Sequence, residues 1–519
     1  MNCRLVLVFG FVMFIGVDAM ARDGYAIVVS RETQADDSWK PVIDQLSSKY
    51  RDQFDVKVLV YDKAVAGSLP RLREIFPKYT CFVATSAETT RAFVKQVHQL
   101  TRQFDADIYT DTRWGILTGY DAANALSIAK TSKRLTIRKA ASGTEIALGK
   151  VEQGVWYCEL VKNKMVRKGA SGDSSEEKCQ SDTTRLLVDS LNKYRADLFV
   201  TSGHATERDW QIGFRYRNGS FRSKAGQLFG VDTTGAKHPV NSTNPKVYMP
   251  IGNCLMGHIN GPDAMALAFL NSAGVRQMIG YTVLTWYGYG GWGVLDYFLE
   301  QPGRYTFSEA FHVNHHALVH RLDTYFPGAH KVDIDERGRV KGRFGISKDA
   351  SRIGLSQRDG VGLRFDRDVV AFYGDPAWVA RMADGSRSYE QTLTEKNGLY
   401  TLVIKPNLGA KSFEPVNTNG AQRGWRPIME LLPHRIKDVK VIAGGDLNPM
   451  ITDDFILIPN PRKCDVNREY RIVFKASRIA RSASQCDEAA SRASERIRLR
   501  RVGVAGWLWQ SGRAEQLPE

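Results

Sequence analysis

The sequence predicts an α/β protein built on a mostly parallel sheet and followed by a small all-β sandwich. Three observations carry that prediction. Residues 22–130 alternate short apolar runs with amphipathic ones at helical period, which implies right-handed βαβ units. Two further apolar runs, 198–200 and 247–251, stop abruptly at glycine turns, as buried strands do. From about residue 384 the helical period is lost, and short β-like runs separated by Asn, Pro and Gly take over. With 519 residues, 43% hydrophobic and 25% charged, the chain has the composition of a globular protein of two or three domains.

In chain order, Arg4, an apolar run over 5–17 and Ala19-Met20-Ala21 form the pattern of a secretory signal peptide ending at residue 21. The run is too short for a membrane span, and no later stretch approaches about 18 uninterrupted apolar residues. The expectation is an exported protein that is secreted, periplasmic or held at the cell surface. Residues 22–130 then read as a first α/β subdomain, with strands over 25–30, 56–61, 79–84 and 114–119 and helices over 39–50, 69–76, 89–104 and 122–130. Residues 131–383 form a second, beginning with short strand-like pieces, a hairpin of 154–161 with 164–168, and a loop over 170–178. Asn218-Gly219 marks a hairpin turn. A helix over 264–271 and a strand over 277–281 follow. Residues 384–479 make the sandwich, and 480–519 a basic tail.

The net charge of +16 suits contact with anionic cell surfaces. It is spread along the chain rather than gathered in one block, so no nucleic-acid partner is expected. Of the seven cysteines, Cys3 leaves with the signal and Cys81 reads as a buried strand thiol. Cys158 with Cys179 and Cys464 with Cys486 are the local pairs that suggest disulfides, though other pairings stay open.

The chemistry concentrates at two turns. Leu198-Phe199-Val200 leads into Ser202-Gly203-His204, and Val247 to Ile251 leads into Gly252-Asn253-Cys254. Neighbouring strands would bring a thiol and an imidazole to one crevice, a nucleophile with its acid/base. The backbone N–H groups of Ala205 and Cys254 could face an acyl oxyanion. Glu145 and Asp111 are candidates to orient the imidazole; Glu207 and Asp209 read as surface charge. His312, His315, His316 and His320 fall on one helix, 307–322. No His-Glu-x-x-His pattern accompanies them, so a partly exposed helix face is expected and no metal site. Asp333 and Asp335 with Gly338 begin like a calcium loop, but Phe344 stands where an EF-hand needs its glutamate.

These residues carry a resemblance. Gly203-His204, Cys254 with Gly257, the run from Ala266 to Gly274, Met278 to Thr282 and Phe372-Tyr373-Gly374-Asp375-Pro376-Ala377-Trp378 together resemble the gingipain family of cysteine peptidases, of the caspase-like clan. The resemblance implies a three-layer caspase-like fold in two subdomains with an immunoglobulin-like domain behind it. It implies a Cys254–His204 dyad, an oxyanion hole at Ala205 and Cys254, and a substrate pocket walled by Thr282 and Trp286. Protein or peptide substrates follow, with no required cofactor, though the family admits structural calcium. Ala205 stands where the family carries glycine, Thr206 where it carries serine, and Asn253 where a small apolar residue is usual. Because alanine resists positive φ, the alternative expectation is an inactive relative acting as a surface-binding or scaffold protein.

Overall fold

The computed structural model describes residues 22–479 apart from 171, 336 and 417–424. The signal segment, the basic tail and Cys486 therefore lie outside the described residues. Among the described residues, no helix is long and apolar enough to cross a membrane.

One mixed sheet of twelve strands organises the structure. Its strands are β1 (Gly24–Ser30), β2 (Asp55–Tyr61), β3 (Tyr79–Val83), β4 (Arg113–Leu117), β5 (Lys139–Ser142), β6 (Gln153–Tyr157), β7 (Lys164–Lys168), β8 (Ser175–Lys178), β9 (Leu198–Thr201), β10 (Lys246–Pro250), β11 (Val275–Tyr281) and β12 (Val370–Gly374). They lie in the order β2-β1-β3-β4-β12-β11-β10-β9-β5-β6-β7-β8. The strands β2 to β12 in that order run one way, and β11 to β6 run the other. The two parallel blocks meet at the antiparallel β11–β12 pair, where Tyr281 faces Val370. The carboxyl ends of β9, β10 and β11 thus share one edge.

All residues of β1, β4, β9, β10 and β12 are buried. A strand buried on both faces must be covered on both, which explains its unbroken apolar run. Helices Lys40–Tyr50, Arg91–Leu100 and Ala122–Ala129 serve the first block. Thr184–Asn192, Met265–Ser272, Tyr289–Phe298 and Phe307–Tyr325 serve the second block and the seam. One hydrophobic core runs from Tyr25 to Met382 and takes in Met429, Phe455 and Leu457.

Downstream, four antiparallel strands (Tyr389–Lys396, Leu399–Pro406, Tyr470–Arg478, Ile436–Ala443) and three shorter ones (Ile428–Leu431, Phe455–Ile458, Met450–Ile451) form two small sheets. Together they enclose a second core that includes Tyr400, Leu402, Ile456, Ile472 and Phe474.

Three local expectations differ from the structure. The stretch 170–178 is not all loop, because Ser175–Lys178 adds β8 as the last strand of a meander. The hairpin near 218 turns instead at Ala225-Gly226, where both residues have positive φ (48° and 71°), as a two-residue turn between Ser220–Lys224 and Gln227–Val231 requires. Asn218 is otherwise engaged: its side chain accepts from Thr183 N–H (3.1 Å) and donates to Thr183 Oγ1 (3.0 Å), securing the start of helix Thr184–Asn192.

The four histidines of helix Phe307–Tyr325 are buried, not partly exposed. His320 meets the Tyr109 hydroxyl at 3.0 Å, His315 the Thr110 hydroxyl at 3.0 Å, and His316 donates to the Thr110 carbonyl at 3.0 Å. Burial lowers all four, His316 to about 3 and His320 to about 4. His315, His316 and His320 are hydrogen-bonding posts between this helix and the segment before β4, while His312 packs against His316.

Candidate active site

Strands β9 and β10 pair in parallel, Leu198 with Val247 through Thr201 with Pro250. That register, carried one strand spacing of about 4.8 Å across, brings Gly203 beside Gly252 and the two turns together. Hydrogen bonds hold them there. Ile251 N–H donates to the Thr201 carbonyl (2.9 Å). Asn253 donates through Nδ2 to the Gly203 carbonyl (3.0 Å) and accepts at Oδ1 from the Thr201 hydroxyl (2.6 Å). Asn253 is therefore the strut joining the histidine turn to the cysteine turn, which gives a polar residue a reason to stand there.

The backbone conformations fit the two turns. Gly203 has a φ of 99° and Leu255 one of 59°, so the left-handed residues precede the histidine and follow the cysteine. Ala205 is not among the described non-glycine residues of positive φ. Alanine thus fits this backbone, and the steric argument for an inactive site loses its footing. Neither Ala205 N–H nor Cys254 N–H donates within the described structure, whereas Thr206 N–H and Gln211 N–H are engaged with Asp209 and His204 carbonyls (2.9 Å each).

Glycines let the surroundings close in. A Cβ on Gly257 would overlap the Gly280 carbonyl of β11, and one on Gly291 would overlap the Ile251 carbonyl. The cysteine turn is bonded to the chain around β11 through Leu255 N–H to the Val283 carbonyl (3.0 Å) and Gly257 N–H to the Tyr281 carbonyl (2.9 Å). Beyond β11, Thr285 donates its N–H to Cys254 Sγ (3.2 Å) and its hydroxyl to the Asn253 carbonyl (2.9 Å). Trp286 follows, 49% exposed, while Thr282 is buried and gives its hydroxyl to the Val369 carbonyl (2.9 Å). Of the two expected pocket walls, Trp286 is half exposed and Thr282 is buried.

The carboxylate at this site is Glu159. It lies just past β6, and its Oε2 comes within 3.8 Å of where a Gly203 side chain would begin. Oε1 accepts from the Thr144 hydroxyl (2.9 Å), and Oε2 is shut off from solvent with no hydrogen-bond partner among the described residues. Burial pushes this carboxyl up to about 7, against the pull of the Thr144 hydroxyl. Sequence reasoning named Glu145 instead, the residue after Thr144, whose hydroxyl binds Glu159. Asp111 shares the edge but precedes β4, four strand spacings from β9, or about 19 Å; it accepts from Phe104 N–H (2.8 Å). Glu207 is a tie rather than free surface charge. Its carboxylate accepts from Asn260 Nδ2 (2.8 Å) and its carbonyl from Met265 N–H (2.7 Å).

Burial, then Asp105, pushes the Asp111 carboxyl up to about 9. A carboxyl raised in the folded state destabilises that state above its unfolded value of about 3.9, and increasingly so up to the folded value. Asp111→Asn removes the effect. The variant should gain at least about 1 kcal/mol over wild type at pH 8 and nothing at pH 4. Denaturant titrations at both pH values check this, and an equal change at the two would refute it.

Two other clusters have metal-like geometry. One atom each of His98, His315 and Asp368 lies within 4.8 Å of the others, but Arg102 (2.7 Å) and Arg367 (2.9 Å) already pair with Asp368, so an added cation would face two guanidinium groups. Asp105, Asp107 and Asp453 form the second, the donor set closest to the calcium that the resemblance admits. Arg435 pairs with both Asp105 (3.5 Å) and Asp453, and that guanidinium supplies the charge a cation would bring.

Cys158 and Cys179 stand one residue past the ends of the strands on either side of β7. Both are thiols, opposite Lys164 and Asn163 of the intervening chain, respectively. Two strand spacings exceed the roughly 7 Å that a disulfide spans between Cα atoms, so the expected bridge is not present. Cys81 is a fully buried thiol in β3 and Cys464 a buried thiol of the second core.

No family model and no curated protein matches the chain. Among solved structures it is similar to one described as "Structure of Protease", at 9% identity and a TM-score of 0.40 over 88% of this chain and 97% of that one. It is also similar to the complex of Porphyromonas gingivalis RgpB pro- and mature domains, at 11% identity and a TM-score of 0.36 over 88% and 100%. Likenesses this distant leave the chemistry to be argued from the site.

Proposed function

We propose that the chain is an exported cysteine endopeptidase of the gingipain type, with a caspase-like sheet, that uses Cys254 as nucleophile and His204 as acid/base. The observation that carries this reading is the pair of stitched turns, which present a thiol and an exposed imidazole beside two N–H groups without partners among the described residues.

The Cys254 sulphur attacks the carbonyl carbon of a peptide bond, and the new C–S bond leaves a negative oxygen. That oxygen accepts from Cys254 and Ala205 N–H, the groups free to receive it. His204 delivers the thiol's proton to the leaving amine as the C–N bond breaks, giving a thioester. It then takes a proton from water, hydroxide attacks the thioester, and the acid leaves as the thiol re-forms. No cofactor enters these steps. Thr285 N–H keeps the sulphur at the mouth of the turn, and Trp286 offers an apolar wall on the acyl side.

Glu159 is the positioning carboxylate in this reading. Above about pH 7 it is ionised and favours the imidazolium that forms during acylation; below that it is neutral and does not. Turnover should climb through that pH, and Glu159→Gln should lower kcat about 10- to 100-fold at pH 8 and flatten the climb. A Gln variant with the wild-type profile would remove Glu159 from the mechanism.

The test of the whole is turnover of a mixed peptide library by residues 22–519 under reducing conditions, beside Cys254→Ala and His204→Ala. Cleavage by wild type alone supports the peptidase. Equal behaviour of all three would leave the inactive, surface-binding reading.

A further inference from the structure

Phe214 lies in the loop between strands Asp209–Gln211 and Ser220–Lys224, with its ring on the candidate acid/base. The His204 and Phe214 rings stack, with centroids 4.6 Å apart and planes 25° from parallel. Phe214 nevertheless remains 44% exposed, which leaves part of the ring available to another apolar group.

The ring does not float on a loose rim. Phe214 and Arg215 N–H both donate to the Glu159 carbonyl (2.6 and 3.2 Å). The Tyr216 hydroxyl donates to the Cys158 carbonyl (2.7 Å). Gly213, with a φ of 81°, makes the bend that a side chain would resist. The loop is thus fastened to the chain that delivers Glu159, and the ring is held ready for contact.

Direction follows from chemistry. The imidazole must reach the nitrogen of the departing amine, so the residue beginning with that nitrogen passes along the histidine. A ring flush against the imidazole borders that residue's side chain. Trp286 follows the residue that bonds Cys254 Sγ and so belongs to the acyl side.

We propose that Phe214 is a specificity-determining residue that receives an apolar side chain at P1′, the position immediately after the scissile bond. The inference rests on the peptidase reading above. It names the preferred substrates as peptides with a Leu-, Met- or Phe-like residue on the leaving side.

The test compares peptides identical except for Leu, Phe, Gly or Asp at P1′, cleaved by wild type, Phe214→Ala, Phe214→Gln, Phe214→Tyr and Cys254→Ala. Wild type should favour Leu over Gly by about tenfold in kcat/KM, the range a hydrophobic contact of this size gives. Phe214→Ala and Phe214→Gln should cut that ratio below about threefold, chiefly by slowing the Leu peptide, and Phe214→Tyr should keep it. Gln matches the bulk of the position if alanine unsettles the loop. A wild-type ratio near one, or a ratio preserved in either Ala or Gln, overturns the inference while the peptidase stands. A wild type that matches Cys254→Ala on every peptide overturns both, and the Cys254→Ala arm distinguishes the cases.

Discussion

Cys254→Ala should lower kcat/KM on any cleaved peptide by at least about 10⁴-fold, and His204→Ala should fall into the same range. The size follows from the roles. Without the sulphur no thioester forms, and without the imidazole neither proton transfer has a carrier, so each variant loses the covalent route as a whole. The two losses should not add: the double variant should be no worse than the weaker single one, because a dyad works as a unit. Folding should be little affected. Cys254 is only partly buried and His204 is exposed, and the turns are held by Asn253, Thr201 and Thr285, which both variants retain. Initial rates on one peptide drawn from the library, with melting curves run in parallel, decide the matter. Residual activity within tenfold of wild type in a well-folded Cys254→Ala would exclude this nucleophile.

The two turns that carry His204 and Cys254 were legible in sequence because their signals are local. An apolar run followed by glycine and a reactive side chain marks a strand end, and β9 and β10 deliver those ends side by side. Glu159 was not legible, because its proximity to Gly203 depends on β5 and β6 lying next to β9 in the sheet. Sequence spacing cannot distinguish that placement from the one Glu145 has. Asp111 failed for the same reason in reverse: it shares the right edge but lies beyond β10, β11 and β12. The buried histidines were misplaced because helix Phe307–Tyr325 has apolar or polar neighbours on every face, so period alone gave no buried side. What the helix packs against, the segment around Tyr109 and Thr110, lies about two hundred residues upstream. Phe214 carries no such local signal, because its stacking on His204 depends on the anchor at Glu159.

The same non-local logic makes Asp375 the carboxylate whose loss should cost most stability. It sits just past β12, the strand that pairs antiparallel with β11 of the second block and in parallel with β4 of the first. Its carboxylate accepts from the Tyr25 hydroxyl (3.0 Å), the Tyr50 hydroxyl (2.6 Å) and Lys49 Nζ (2.8 Å). The lysine and aspartate side chains are 7% and 1% exposed. Its carbonyl accepts from Gln277 Nε2 of β11 (2.7 Å), so one residue ties β1, the helix Lys40–Tyr50 and the seam of the sheet. Removing one partner of a buried ion pair leaves the other charge without compensation in a medium that solvates it poorly. Asp375→Ala should therefore destabilise the fold by about 3–5 kcal/mol, read as a lower denaturant midpoint. Asp375→Asn keeps an acceptor but loses the charge, and should fall between the two. Lys49→Met tests the cause. If the stranded ammonium is the main cost, adding Lys49→Met to Asp375→Ala should recover part of the loss, because no unpaired charge remains buried. A loss below about 1 kcal/mol in Asp375→Ala would show that the Gly374-Asp375-Pro376 segment is held by its backbone, with Gln277 rather than the carboxylate as its anchor.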